Sequence, residues 1–206
     1  MKGKFAFDLL DRHSNSLRNE TRKSFRKEMR TVKEGFRLID SLWWELDRLP
    51  KSHIRNVKLA LLCRFTNHLF SQTALAERGL ILDAINCARS ATETTAFYWL
   101  VCISPESASK YDSEKSPRPV EIRRELERLG VDILELRDRY DQESTVSHVG
   151  NRTDNWQIDW NTSPDGLLMI GGGSSPQLQS IILSQVFHSA WRFFLHDPLF
   201  EIVEKN

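Results

Sequence analysis

The sequence has little cysteine and no large excess of either charge. Its 206 residues include three cysteines, and 29 basic side chains nearly balance 28 acidic ones. Cys63, Cys87 and Cys102 form no Cys-x-x-Cys pair, which would indicate a zinc or redox site. Each lies in an apolar helical stretch, where a free cysteine behaves as a small hydrophobe. We therefore expect a reduced, cytoplasmic protein. The net charge of +1 argues against a protein whose whole surface is basic and binds nucleic acid.

Long uncharged apolar runs are also absent. The longest apolar stretch, 79–104, contains Asp83, Arg89 and Glu93, and three charges argue against a membrane span. The first twelve residues include two aspartates and are followed by no small-residue cleavage site, so no secretory signal is expected. No membrane partner is expected either.

Motifs of several common enzyme classes are missing. The six histidines form no His-x-x-x-His or glutamate-containing pattern, so no metal is expected. There is no Gly-x-Ser-x-Gly elbow of a serine hydrolase. The run 171–175 precedes a helix, but no lysine follows in P-loop register, which favours a hinge over a phosphate site. No cofactor is expected.

Helical periodicity covers most of the chain. Leucines recur every four residues in the basic N-terminal segment 1–50, which predicts a helix from about 16 to 49 that ends at Pro50. Gly79 either ends a helix or is a weak point within one continuous helix. Gly130 is a typical residue at a helix end. A helical core is predicted over 52–150. Its helices are expected at 52–78, 79–104, 121–129 and 131–149, with Ile133, Leu136 and Tyr140 of the last one inward.

The hydrophobic period changes after Gly150. Trp156, Ile158 and Trp160 alternate with polar residues, which is the spacing of a strand and predicts a β-hairpin over 155–171. A C-terminal helix is predicted over 175–197, with a proline in its first turn. The predicted fold is therefore mainly all-α. We expect one domain, 1–206, built as a bundle of about five helices with one β-hairpin before the C-terminal helix.

A polar stripe inside the apolar third helix is the most informative feature. Asn86, Arg89 and Glu93 are separated by three and four residues, so they stack on one helix face. They form either a solvated face with a weak local ion pair or a buried polar network in which each charge requires a partner. The sequence leaves both interpretations open.

A second polar stripe lies in the helix that ends at Gly150. Its members share one face or lie beside it: Arg137, Tyr140, Asp141, Ser144, Ser147 and His148. His148 is in the last turn, where the helix dipole favours a protonated imidazole. If the two stripes meet, a histidine, a carboxylate and an arginine come together, and such a group can perform acid–base chemistry or bind phosphate.

The two stripes resemble motifs of HEPN-like helical proteins, in particular uncharacterised bacterial members. The resemblance rests on Ala-Arg-x-x-x-Glu from Ala88 to Glu93, on Tyr-x-x-x-Ser-x-x-Ser-His from Tyr140 to His148, and on the hairpin with its final helix. It extends from about Leu75 to the C-terminus. It implies a homodimer that binds or cleaves RNA in phage defence or a toxin-type system.

The resemblance also implies a catalytic centre of His148, Arg89 and Glu93. The family's ribonucleases use an arginine followed by four to six residues and then a histidine, and here the spacing differs. Arg139 precedes His148 by more residues than that, while Arg64 is closer to His68. His148 is nevertheless the position most similar to the family's histidine.

Clustered basic residues in the N-terminal helix are the candidate RNA contact, because arginine and lysine along a phosphate backbone release counterions. The candidates are Arg22, Lys23, Arg26, Lys27 and Arg30. A solvated helix face is the alternative, since Phe25 and Phe36 are the only aromatic residues between Arg18 and Arg37 for base stacking. The second functional hypothesis is a non-enzymatic module. It would dimerise or dock on a protein partner through the third helix and through Trp156 and Trp160.

Overall fold

Seven α-helices make up most of the chain that the structure describes. The computed structural model describes residues 4–111, 117–147, 158–159, 167–168 and 176–199. The α-helices in these ranges are α1 Lys4–Ser24, α2 Arg26–Arg48, α3 His53–Glu77, α4 Ile81–Ile103, α5 Pro119–Arg128, α6 Leu134–Ser147 and α7 Pro176–Phe194, and a 3-10 helix covers Pro105–Lys110. The mainly helical class is confirmed. None of these helices is both long enough and apolar enough to cross a membrane.

Strand structure in the described residues is one short antiparallel pair, β1 (Ile158–Asp159) with β2 (Leu167–Leu168). Two residues per strand do not support the hairpin predicted over 155–171 as an element of the fold. Trp156 and Trp160, on which that prediction was based, lie outside the described residues.

The basic N-terminal segment forms two helices, so the single helix predicted from 16 to 49 is wrong in its start and in its continuity. Phe25 separates α1 from α2 with φ −108° and ψ 47°, which is outside the helical region. Helical hydrogen bonds continue on both sides, from the Phe25 amide to Thr21 and from the Met29 amide to Phe25. The Phe25 ring packs against the core, so an apolar contact accompanies the break between the two helices.

Two glycines end helices through the same hydrogen-bond pattern. Gly79 has φ 75° and Gly130 has φ 80°, values in the left-handed region that favours glycine. After α3, the Leu80 amide bonds to the Leu75 carbonyl and the Gly79 amide bonds to the Ala76 carbonyl, which is a Schellman cap. The same pattern ends α5. Gly79 is therefore a true break, and α3 and α4 are separate helices.

The central helix is α4, which contacts α3, α5, α6, α7 and the 3-10 helix. Its residues 94–101 are all buried, and the small residues Ala84, Ala88 and Ala91 of its first half are buried as well. Small side chains let neighbouring helices approach closely. These small residues pack against neighbouring helices of the same chain, and a role of the third helix in dimerisation stays a prediction.

The cysteines are all free, but they do not share one environment. Cys63 is exposed, whereas Cys87 and Cys102 are half-buried. The apolar surroundings expected for Cys63 are wrong because Leu62 and Phe65 occupy the buried face of α3 instead. Burial raises the pKa of the Cys87 thiol.

A buried carboxylate fixes the segment that follows α7. The Asp197 side chain accepts a hydrogen bond from Lys58 Nζ at 3.1 Å and another from the Tyr98 hydroxyl. The Asp197 side chain is fully buried, and that of Lys58 is 12% exposed. Burial, together with the charge of Asp197, raises the pKa of the nearby Cys102 thiol to about 12, so the thiol stays neutral. An ion pair at this depth is stable only when its hydrogen bonds are complete.

Replacing Asp197 with alanine should lower the free energy of unfolding by about 3–5 kcal/mol, because Lys58 would keep a buried charge with no acceptor. The double variant Lys58→Met/Asp197→Ala should lose less than the two single variants summed, since it leaves no buried ammonium. Urea unfolding at neutral pH measures both effects.

The matched control for this series is Asp47→Ala, which removes a half-exposed carboxylate that pairs with Arg55. It should cost no more than about 1 kcal/mol. An Asp197→Ala variant as stable as this control, or strict additivity in the double variant, would show that the buried pair does not act as described.

Candidate functional site

The polar residues of α4 contact α6 at the edge of the core. Arg89 donates from Nη2 to the Tyr140 hydroxyl at 2.8 Å, and its Nε lies 3.4 Å from Glu93 Oε1. The Arg89 and Glu93 side chains are 27% and 25% exposed. Asn86 is exposed and belongs to the solvated face. The stripe is therefore divided: two of its members form a half-buried pair with a cross-helix contact, and the third faces water.

Tyr140 has two guanidinium groups close to its ring. The Cζ atoms of Arg89 and of Arg123, which lies on α5, are 4.9 Å and 4.0 Å from the ring centroid. A guanidinium over an aromatic face is attracted by the ring quadrupole. One tyrosine thus joins α4, α5 and α6, and it places two positive charges beside each other.

A buried carboxylate lies one turn further along α6. Glu143 accepts hydrogen bonds from Arg139 Nε at 2.8 Å and from the Thr92 hydroxyl at 3.0 Å. Burial raises the pKa of Glu143, while Arg139, Thr92 and Arg89 act in the opposite direction. A carboxylate with a raised pKa among guanidinium groups can move a proton, and the same arrangement also serves structural networks.

Helical spacing alone could have identified Glu143, which the sequence analysis missed. It follows Tyr140 by three residues, and it continues the inward series that begins at Ile133 and Leu136. Arg123 had no comparable signal, because its contact depends on how α5 packs beside α6.

The predicted stripe of α6 lies mostly on the outer side of that helix. Arg137 and Asp141 are exposed. Ser144 is half-buried, and its hydroxyl has no hydrogen-bond partner among the described residues. The Ser147 side chain and all of His148 lie outside those residues. The association of His148 with Arg89 and Glu93 therefore stays a prediction.

Arg22, one of the five predicted RNA contacts, has a structural role. The Glu77 side chain is 2% exposed, and it accepts hydrogen bonds from Arg22 Nε at 2.8 Å and from Arg18 Nε at 2.9 Å. This pairing ties α1 to α3 and balances the buried carboxylate. Contact of Arg22 with a phosphate stays a prediction.

The other four predicted contacts, Lys23, Arg26, Lys27 and Arg30, are exposed. Lys23 lies in the last turn of α1, and the exposure of the other three follows from how α2 packs on α7. At Gly35, a Cβ atom would lie 3.1 Å from the Cα of Phe187, so the two backbones approach closely on that side. The opposite side of α2 faces water. Its exposed cations recur at helical spacing: Arg26, Arg30, Lys33 and Arg37.

Positive charge is concentrated on this part of the chain. Six cationic residues and two carboxylates lie between positions 23 and 37, whereas the whole chain has a net charge of +1. Both carboxylates have partners: Glu28 accepts a hydrogen bond from Ser180, and Glu34 pairs with Arg37. We call the exposed side of α2 with Arg26, Arg30, Lys33 and Arg37 the basic face.

Trp44 extends the basic face towards the end of α2. It is seven residues after Arg37, which is two turns and about 10 Å along the helix. Its side chain is 62% exposed. Phe25 and Phe36, the aromatic residues considered from the sequence, instead pack against the core. The face thus combines cations with an exposed aromatic ring, although Asp40 lies between them.

Within the described ranges, no group of three or more histidine, cysteine, aspartate or glutamate side chains could hold a metal ion. No family model, curated protein or solved structure matches the chain. The chemistry of the α4–α6 contact and of the basic face therefore carries the functional argument.

Glu143 should titrate above the ordinary glutamate value of 4.5, because burial disfavours its charged form. Arg139→Leu should raise the pKa further by removing a neighbouring positive charge. Carbon-13 NMR of the side-chain carboxyl measures this, with Glu143→Gln to assign the signal. A midpoint at or below the ordinary value would contradict the burial.

The same shift has a consequence for stability. Between the unfolded and folded pKa values of Glu143, the folded state binds more protons than the unfolded state. The contribution of Glu143 to the free energy of unfolding is therefore fully present below the unfolded pKa, and it is lost as the pH rises through the folded pKa. Relative to Glu143→Gln, the unmodified protein should therefore gain stability as the pH falls from neutral towards 4.5. Parallel urea titrations at several pH values test the sign.

Proposed function

We propose that the protein binds RNA through the basic face of α2 and Trp44. The observation that supports this most directly is the alignment of four exposed cations and one exposed indole on a single helix face. The choice of RNA over DNA comes from the resemblance to HEPN-like proteins, and so does the phage-defence or toxin-type role. Both stay proposals.

The cations of the basic face suit a phosphate backbone. Arg26 and Arg37 are eleven residues apart, so the charges extend over about 16 Å of helix. Lys23 and Lys27 flank this line and are exposed as well. Cations that neutralise phosphates release bound counterions, which makes binding strong at low salt and weak at high salt.

Trp44 favours an unpaired strand. Each base that stacks on an aromatic side chain contributes about 1–3 kcal/mol, and any base can do so because every base has a π face. Bases inside a duplex are already stacked on one another, so they are not free to stack on the indole. The proposed ligand is therefore single-stranded RNA.

The two parts of this surface should respond differently to salt. Arg26→Ala/Arg30→Ala should make the plot of log affinity against log salt shallower by about 1.4, since each phosphate contact on a single strand contributes about 0.7 to the slope. Trp44→Leu should weaken binding by about fivefold to 100-fold at every salt concentration without changing the slope. Fluorescence anisotropy with labelled oligoribonucleotides measures both.

The chain offers matched controls for each variant. Arg118→Ala/Arg128→Ala removes two exposed guanidinium groups at the two ends of α5, each paired with a nearby glutamate. Phe70→Leu removes an aromatic ring that is 66% exposed on α3. Neither control should change binding. Equal slopes for the α2 and α5 double variants, or no salt-sensitive binding at all, would refute the proposal.

Cleavage of the bound RNA is a separate proposal that comes from the resemblance. Arg89 and Glu93 are accessible enough to meet a ligand, each being about one quarter exposed. If His148 joins them, the unmodified protein should degrade total RNA and His148→Ala should not. Electrophoresis of the incubated RNA tests this, and equal, undetectable cleavage by both proteins removes the ribonuclease proposal without affecting binding.

A second candidate function is docking on a protein, either another copy of this chain or a different partner. Four partly exposed apolar side chains lie close together in sequence at the turn from α2 to α3: Trp43, Trp44, Leu49 and Ile54. Contiguous exposed apolar surface is typical of interfaces. Light scattering would favour this candidate if Trp44→Leu converted a dimer to a monomer while the protein showed no RNA binding.

A further inference from the structure

A cavity of about 400 Å³ lies between α3, α4 and the start of α5. This volume is within the range of small-molecule sites, which are mostly apolar with a few convergent polar groups. Leu61, Phe97 and Ile122 line it and are themselves buried. Its chemistry is distinct from that of the basic face, and the RNA-binding proposal does not use it.

Two aromatic side chains line the cavity. Phe97 and Tyr111 are inclined to each other, with ring centroids 6.2 Å apart and an angle of 35° between the planes. Pro117 and Pro119 add apolar surface. An aromatic face suits a planar ligand, because a planar group keeps contact over its whole face.

Two charged side chains line the same cavity, Glu93 and Arg64. The Glu93 carboxylate is in a long contact with Arg89, 3.4 Å, whereas Arg89 makes its short hydrogen bond to Tyr140. A carboxylate has about four acceptor positions, so Glu93 can accept further hydrogen bonds. Arg64 is exposed and supplies a guanidinium fork, which suits a phosphate.

We infer that this cavity binds a guanine nucleotide, with the base against Phe97 and Tyr111, the base edge on Glu93 and the phosphate on Arg64. Guanine presents two adjacent N–H donors, N1–H and the N2 amino group, to a carboxylate. Adenine and cytosine place an acceptor nitrogen beside their single amino group, and uracil flanks its one N–H with two carbonyl oxygens. Each of these would turn a lone pair towards Glu93, so the site selects guanine.

The test is calorimetric titration of the full-length protein with 5′-GMP, AMP, CMP, UMP and guanosine. GMP should bind at least about tenfold more tightly than the other three nucleotides, since a site built around hydrogen bonds rejects ligands that leave its polar group unpaired. Glu93→Gln should weaken GMP binding by about tenfold or more. Arg64→Ala should weaken GMP binding but leave guanosine binding unchanged, because only GMP carries the phosphate.

Exposed residues of α5 provide the controls, Glu127→Gln and Arg124→Ala, which should bind GMP normally. Arg26→Ala/Arg30→Ala should also bind GMP normally, so failure here is distinguishable from failure of the RNA proposal. Circular dichroism checks that each variant is folded. If Glu93→Gln does not fold, Arg64→Ala still tests the inference, because Arg64 is exposed. Equal affinity for all four nucleotides, or no GMP binding tighter than about 1 mM, would overturn the inference.

Discussion

The enclosure of α4 constrains the rest of the described structure. Residues 94–101 of α4 are buried around the whole helix, and α3, α5, α6 and α7 cover them. Charged residues occur only in the half of α4 that reaches the edge of the core. Arg89 and Glu93 are therefore half-buried, and they obtain a contact from Tyr140 of α6. The position of Arg89 and Glu93 at the edge of the core is enough to explain their partial burial and their contact with α6, without a catalytic role.

Buried charges in this protein act mainly as anchors. Glu77 holds α1 against α3, Asp197 holds the segment after α7, and Glu143 joins α6 to α4. Each has basic or hydroxyl donors, as burial requires, because an unpaired charge in the interior is costly. The cations of the basic face differ in being exposed, so they are available to a ligand. The anchoring carboxylates Glu77, Asp197 and Glu143 are thus distinct from the exposed cations of the basic face.

The sequence predicted features that depend on local periodicity or on one residue type. The helices of the core, the stop at Gly130 and the inward face of α6 through Tyr140 are of this kind, whereas Gly79 was left open as a break or a weak point of one helix. Features that depend on packing between distant segments were not predictable. Nothing in the spacing of Arg22 indicates that it pairs with a glutamate 55 residues away. The exposure of Trp44 likewise depends on which side of α2 is buried against α7.

The central claim is that nucleic acid contacts the basic face of α2. Photo-crosslinking of the protein to a single-stranded oligoribonucleotide with photoreactive uridines tests it most directly, with the crosslinked residues identified by mass spectrometry. The account predicts crosslinks at Trp44 and at neighbouring residues of the basic face. Crosslinks confined to α4 and α6, around Arg89 and Tyr140, would contradict it.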